Sequence, residues 1–336
     1  MPQPLAGPAG RNVPDRLPHP WRERLLRWEV LLLVLFVLAF FANALISPYF
    51  LDPWNLSDAT FNFTEKAIIA LAMALLIIAG DIDLSVASNI ALCSVCMGAA
   101  AAAGAGVPVL VLIGLGVGLL AGLFNGLLVT RFAIPAIIVT IGTLSLYRGI
   151  AFIILGDQAY QTYPEGFDYL GQGYLIGVLS FEFCLFLLLA LAFGLLLHRT
   201  SFGRKVYAIG NNPLAARFSG IDVNRCRLVL FGLVGLMAGL AAILLTSRIG
   251  STRPNIATGW ELEVITMVVL GGVNINGGSG TIPGVFIAVF LMGVVTFGMG
   301  LLNVPGIVMT IFIGLLLIAA IAAPILIRRL TTRRRA

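Results

Sequence analysis

Apolar runs long enough to cross a bilayer, about 20 residues each, follow one another along almost the whole chain, and the arginines fall between or beyond them. That pattern constrains the fold more than any single motif. A soluble domain of 336 residues has no interior large enough for a chain that is 59% hydrophobic and 11% charged, with mean hydropathy +1.02. Ordinary globular domains are about 25% charged. Lipid is therefore the expected solvent for most of the chain. Helices are the expected structure, because a helix satisfies its own backbone hydrogen bonds where water is absent. The expected fold class is an all-α polytopic membrane protein.

Hydropathy and helix breakers place ten spans at approximately 28–47, 63–80, 84–104, 107–130, 134–155, 175–198, 226–247, 260–273, 282–301 and 306–327. The second and third are separated only by AGDIDLSVAS (79–88), so a broken or re-entrant helix region is expected there. The eighth is short and runs into GGVNINGGSG (271–280). An even count puts both termini on one side. It also puts seventeen of the 21 Lys and Arg residues on one face. These are Arg11, Arg16, Arg22, Arg24 and Arg27 before the first span, Arg328, Arg329, Arg333, Arg334 and Arg335 after the last, Arg131, and the cluster Arg199, Arg204, Lys205, Arg217, Arg225 and Arg227. The loop 156–174 carries Asp157, Glu165 and Asp168 and no basic residue. By the positive-inside rule both termini are expected in the cytoplasm. Lys66, Arg148, Arg248 and Arg253 fall outside the scheme. The net charge of +6 is thus an orientation signal and gives no reason to expect nucleic acid as a partner. Residues 1–27 read as a disordered, basic, Pro-rich cytoplasmic tail, 28–327 as the transmembrane domain with a cytoplasmic loop at 199–225, and 328–336 as a basic tail. A polar stretch precedes the first apolar run, so no cleavable signal peptide is expected.

Cys93, Cys96, Cys184 and Cys226 all lie in or beside apolar runs. Cys93 and Cys96 form a CxxC, but a structural zinc site needs about four ligands, so no metal site is expected. Gly114, Gly118, Gly122 and Gly126 recur every fourth residue and mark a stripe where another helix backbone can approach closely. In the loop 199–225, Asn212 reads as an N-cap, Pro213 as the first helical residue, Leu214 to Phe218 as one or two turns, and Gly220 as the helix end. So short a helix either lies on the lipid surface, held by basic residues, or docks a cytoplasmic partner. Asp81 and Asp83 lie at a break between apolar runs, where an ionisable group is a functional candidate; Asp83 can also cap the helix starting near Leu84. Asn125, Thr140, Thr143 and Ser145 are polar positions that either line a path or bond to their own and neighbouring helices. Glu261 and Glu263 follow the loop 251–259 and either meet a partner outside the membrane or cap the eighth span; Arg248 and Arg253, in the same region, are candidates to pair with acidic residues of that partner. No catalytic residues are expected. Neither lysine stands in a GxxxxGK[ST] loop, so any ATP hydrolysis belongs to another polypeptide. A proton-coupled secondary transporter working through Asp81 or Asp83 is one rival class. An intramembrane aspartyl protease is a weaker one, because two carboxylates only two positions apart do not make a shared-proton dyad.

Four segments in order resemble the permease subunits of bacterial ABC importers for sugars, the ribose-type family: AGDIDLSVAS (79–88), AGLFNGLLVTRFAIPAIIVTIGTLSLYRGIAF (121–152), TSFGRKVYAIGNNPLAARFSGIDVNR (200–225) and WELEVITMVVLGGVNINGGSGTIPG (260–284). The resemblance covers nearly all of the chain after Trp28. It implies two permease subunits, the second a related chain, two cytoplasmic ABC ATPases that use ATP and Mg, a periplasmic sugar-binding protein, and a location in the bacterial inner membrane. It implies no cofactor bound by this chain. It makes the helix around Asn212, Pro213, Leu214, Ala215, Arg217, Phe218, Ser219 and Gly220 the coupling helix, seated on the ATPase. Within the family the chain looks most like the L-rhamnose permeases, with autoinducer-2 permeases close, and an autoinducer-2 or ribose-type permease is the alternative. Asp81 stands where the family usually has Gly.

Overall fold

The structure, a computed structural model, describes residues 28–156 and 158–333. The tail at 1–27 with its arginines, Asp157, and residues 334–336 lie outside the described residues. In chain order the helices are α1 (Trp28–Ile46), α2 (Pro53–Phe61), α3 (Thr64–Ile78), α4 (Val86–Ala102), α5 (Val107–Arg131), α6 (Ala136–Leu155) and the short α7 (Tyr169–Gln172). A two-stranded antiparallel ribbon, β1 (Tyr174–Ile176) and β2 (Leu179–Ser180), leads into α8 (Phe181–Arg199). Then follow α9 (Ser201–Asn211), α10 (Pro213–Phe218), α11 (Val223–Ile249), α12 (Trp260–Leu270), α13 (Ile282–Leu301) and α14 (Gly306–Arg333).

Each of the ten apolar segments holds a helix, namely α1, α3, α4, α5, α6, α8, α11, α12, α13 and α14. Among the described residues, α1, α5, α6, α8, α11 and α13 are long and apolar enough to cross a membrane alone. α2 and α3 pass the same test together and meet at a 51° bend. α4 and α14 up to Ala322 are shorter apolar helices.

Three boundaries differ from the sequence reading. The sixth segment begins not as helix at 175 but as the ribbon; Gly177 turns it with φ +56°, and the Ser180 hydroxyl, 3.3 Å from the Phe183 N–H, caps α8 only at Phe181. The fold is therefore not purely helical. α14 continues to Arg333, through the first part of the segment expected to be a tail. The loop 199–225 contains α9, an amphipathic helix whose Val206 and Ile209 are buried while Arg204 and Lys205 stay exposed.

α11 is the most enclosed long helix, and its crossing with α5 is backbone on backbone. The stripe Gly114, Gly118, Gly122, Gly126 faces Gly235 and Gly239 of α11 and their neighbours. A Cβ on Gly118 would lie 2.5 Å from the Gly235 carbonyl oxygen and 2.7 Å from Gly239 Cα, and one on Gly122 2.8 Å from Gly235 Cα. With no hydrophobic driving force between helices in lipid, this close fit is what holds the pair. Gly118→Ala is expected to cost about 1–3 kcal/mol by overpacking. Gly116→Ala, on the open side of the same helix, is expected to be neutral or slightly stabilising, since Ala is the better helix former. Unfolding in detergent compares the two; equal curves would contradict the crossing.

Hydrogen bonds between distant segments define two ends. At one, Gly278 N–H donates to the Ile78 carbonyl at 2.8 Å, the Tyr207 hydroxyl to Gly280 O at 2.7 Å and Asn211 Nδ2 to Gly278 O at 3.2 Å. This end gathers the break after α3, α9, α10 and the loop 271–281. At the other, Tyr160 and Thr252 form an isolated antiparallel bridge, and Arg148 donates to the carbonyls of Pro254 and Ile256 at 2.7 and 2.8 Å.

Candidate functional site

α10 owes its shape to its caps. Asn212 is extended, and its Oδ1 accepts from the N–H groups of Leu214 and Ala215, both at 3.0 Å. Pro213 loses no hydrogen bond at the first helical position. Ser219 N–H returns to Ala215 O, and Gly220, at φ +80°, lets the chain leave without strain. Only Ala216 is buried. Leu214 is 63% and Phe218 86% exposed, beside Arg217, whose guanidinium donates to Asn224 Oδ1 at 2.9 Å. A short helix that turns its two large apolar side chains outward is not spending them on its own core.

The break between α3 and α4 is held from two sides. The Asp81 carboxylate lies 2.9 Å from Arg227 Nε at the start of α11, an ion pair whose N–H is not aligned as a hydrogen bond. Asp83 Oδ1 accepts from the Ser85 N–H at 2.8 Å and the Ser85 hydroxyl at 2.6 Å. It thus closes a turn just ahead of α4, which begins at Val86, rather than capping a helix from Leu84. Asn125 Nδ2 reaches Ser85 Oγ at 2.8 Å and Asp83 Oδ2 at 3.3 Å. The Tyr147 hydroxyl lies 3.0 Å from Asn125 Oδ1 and 2.9 Å from Ala121 O and shares its one proton between them. A single buried network therefore ties the break to α5 and α6.

The buried polar positions of α5 and α6 bond within the chain. Asn125, Thr140 and Thr143 are sealed inside the chain, and only Ser145 is exposed. Thr140 bonds back to Ala136 O at 2.9 Å, the local alternative open to a helical threonine. Asn125 is a brace. Asn125→Ala leaves buried polar atoms of Asp83, Ser85 and Tyr147 short of a partner and is expected to cost about 1–3 kcal/mol. Tyr147→Phe removes one shared hydrogen bond and is expected to cost about 1 kcal/mol. Thermal unfolding in detergent ranks the two; a larger loss for Tyr147→Phe would contradict Asn125 as the hub.

At the opposite end, three of the four basic residues outside the charge scheme, Lys66, Arg148 and Arg248, find partners within the chain. Arg248 Nε binds Glu65 Oε1 at 2.7 Å, Lys66 Nζ binds Glu263 Oε2 at 2.6 Å, and Arg148 holds the two carbonyls noted above. Of the outer candidates, then, Arg248 and Glu263 are engaged internally, while Arg253 is exposed. Glu65 and Glu182, both fully buried, were not singled out in the sequence; the available signal was that each stands in the first turn of its helix and Arg248 in the last turn of α11. Those are the ends whose helix dipoles favour these charges. Among the described residues, no group of three or more His, Cys, Asp or Glu is placed to hold a metal, and the four cysteines are free. The Asp81 and Asp83 carboxylates have separate partners.

Apolar helices crossing on glycine, a braced break and an exposed capped helix describe a membrane-embedded transport subunit. The family model described as "Branched-chain amino acid transport system / permease component" matches residues 55–321, and the chain belongs to this family. It is 35% identical over 302 residues to the Autoinducer 2 import system permease protein LsrD of Enterobacter sp. (strain 638), covering 88% of this chain and 92% of that one. It is 36% identical over 300 residues to the protein of that name from Escherichia coli (strain K12), covering 88% and 91%. The L-arabinose ABC transporter permease protein AraH of Azospirillum brasilense is 35% identical over 296 residues, covering 87% of each chain. No solved structure matches. The resemblance carried by the four sequence segments is met at the level of the ABC import permeases; these relatives are named for autoinducer 2 and L-arabinose, not for L-rhamnose.

Proposed function

We propose that the chain is one of two permease subunits of an ATP-driven ABC importer in a bacterial inner membrane, crossing it ten times with both termini in the cytoplasm. Its cargo is a neutral solute of monosaccharide size. L-rhamnose, autoinducer 2 and L-arabinose stand as equal candidates, the first from the sequence resemblance and the other two from the relatives. The observation that carries the reading is α10. It is preformed by its caps, offers Leu214, Arg217 and Phe218 outward, and stands at the end that carries the basic cluster. An ATPase groove is the partner that such a helix fits. The ATPase holds ATP and Mg; a periplasmic binding protein delivers solute at the other end.

The mechanism is alternating access. Movement of α10 passes through Arg217 and Asn224 to α11, and through α9 to the loop 271–281 and the break after α3. Arg227 on Asp81 and Asn125 on Asp83 make the break and the long helices move as one body. The chain makes and breaks no covalent bond. It needs only two arrangements whose relative stability ATP and solute can shift. Asp81 and Asp83 are engaged by Arg227, Ser85 and Asn125, which supports bracing over a proton relay. Uptake of labelled L-rhamnose, L-arabinose and autoinducer 2 in cells lacking only this chain tests the reading. Loss of uptake of one of them, with recovery when the chain is restored, is expected. Unchanged uptake of all three, in cells without a second route, would contradict it.

A further inference from the structure

A cavity of about 500 Å³ opens between α3, α12, α13 and α14 at the end opposite α10. Its wall is in two parts. Asn62, Lys66 and Glu263 form a polar patch, and Met267, Met292 and Met309 are among the apolar side chains facing it. The Lys66–Glu263 pair is mostly withdrawn from solvent, at 15% and 21% side-chain exposure. Lys66 Nζ also stands 4.8 Å from the centre of the Trp260 ring. Lys66 spends one N–H on Glu263 and has others to give. Glu263 has an oxygen outside the pair, and Asn62 adds an amide.

We infer that this cavity is a binding site in the permease itself for a neutral polyol of monosaccharide size with an apolar edge. The inference rests on the importer reading and names the chemistry its solute meets on entry. The volume falls in the range of small-molecule pockets, roughly 300–1,000 Å³, and an apolar lining with a few convergent polar groups is their usual make-up. The pair is balanced in charge, so it offers donors and acceptors without demanding a counter-ion. Hydroxyls can take the place of water on both partners. An acyl chain in the same place would strip water from the charged pair and return nothing, which is costly. The thioether wall is soft and adapts to a methyl or deoxy edge.

The test uses the assembled importer in native membranes, with Cys93, Cys96, Cys184 and Cys226 replaced by alanine and Thr310→Cys introduced at the exposed rim of the cavity. The rate of maleimide labelling is read with and without millimolar L-rhamnose, L-arabinose, autoinducer 2 or L-leucine. At least one of the first three is expected to slow labelling threefold or more. Glu263→Gln, and separately Met292→Trp, which fills the cavity without touching the pair, are each expected to remove that protection. No slowing by any of the first three, or slowing by L-leucine alone, overturns the site. Uptake measured on the same membranes keeps the two readings apart. Uptake without protection defeats the site and leaves the importer standing, whereas protection without uptake supports the site and defeats the importer reading.

Discussion

Arg248→Met is expected to destabilise the protein by about 3–5 kcal/mol, the usual loss when one partner of a buried ion pair is removed. Glu65 is fully buried, and its Oε1 rests on Arg248 Nε at 2.7 Å. Its second oxygen has no hydrogen-bond partner, and neither has either oxygen of the buried Glu182. Arg248 is thus the cation paired with Glu65, while Glu182 lies buried without an ion pair among the described residues. Without it, the buried Glu65 carboxylate loses its paired cation. Methionine matches most of the arginine stem, so lost packing contributes little and lost charge dominates. The control is the double variant Glu65→Gln with Arg248→Met, which removes the stranded charge. It is expected to recover about half of the loss, because a neutral amide is far cheaper to bury than a carboxylate. Unfolding in detergent, with the amount of folded protein in membranes as a second readout, measures both. A double variant as unstable as the single one would contradict the electrostatic account.

Arg217→Glu combined with Phe218→Ala is expected to abolish coupling without harming the fold. Phe218 is 86% exposed and Arg217 is also exposed, making only a surface bond to Asn224. Surface changes of this kind usually stay within about 0.5 kcal/mol of wild-type stability. At an interface aromatic residues and Arg are enriched, and one that serves as an anchor is worth about 2 kcal/mol or more when truncated. A combined loss of about 4 kcal/mol is close to a thousandfold in affinity, at 1.4 kcal/mol per tenfold. The expected result is normal membrane content, loss of ATPase co-purification, and uptake reduced more than tenfold. Ser219→Ala on the same helix gives up a hydroxyl bond to Ala215 O at 3.0 Å and is expected to behave as wild type. Normal co-purification and uptake by the double variant would remove α10 as the docking element.

The elements most legible in the sequence were those written in local terms. Apolar length located the ten helix-bearing segments, because lipid forces each run to close its own backbone hydrogen bonds. The N-P-L-A-A-R-F-S-G order spelled out both caps of α10, and four glycines at spacing four announced a close crossing. Its partner, the α11 glycines Gly235 and Gly239, could be known only once the helices were packed. What stayed hidden was set by pairing across long sequence separations. Asp83 and Asn125 are 42 residues apart, and Glu65 and Arg248 are 183 apart. No periodicity joins such residues, so Asn125 read as lining a path or bonding to a neighbouring helix, and Arg248 as a candidate to pair with a partner outside the chain. The ribbon at β1 and β2 was masked by apolar residues that serve a strand as well as a helix. α9 was hidden for the opposite reason: only one of its faces is apolar, and a hydropathy average over it is unremarkable.

The energy source tests the central claim most directly. Proteoliposomes holding this chain with its partner permease and ATPase, supplied with binding protein, would be assayed for solute uptake under two treatments. If the chain is an ATP-driven permease, uptake requires ATP inside and survives a protonophore. Uptake by the chain without the ATPase, driven by a proton gradient and lost with the protonophore, would contradict the account and return Asp81 and Asp83 to the centre of the mechanism.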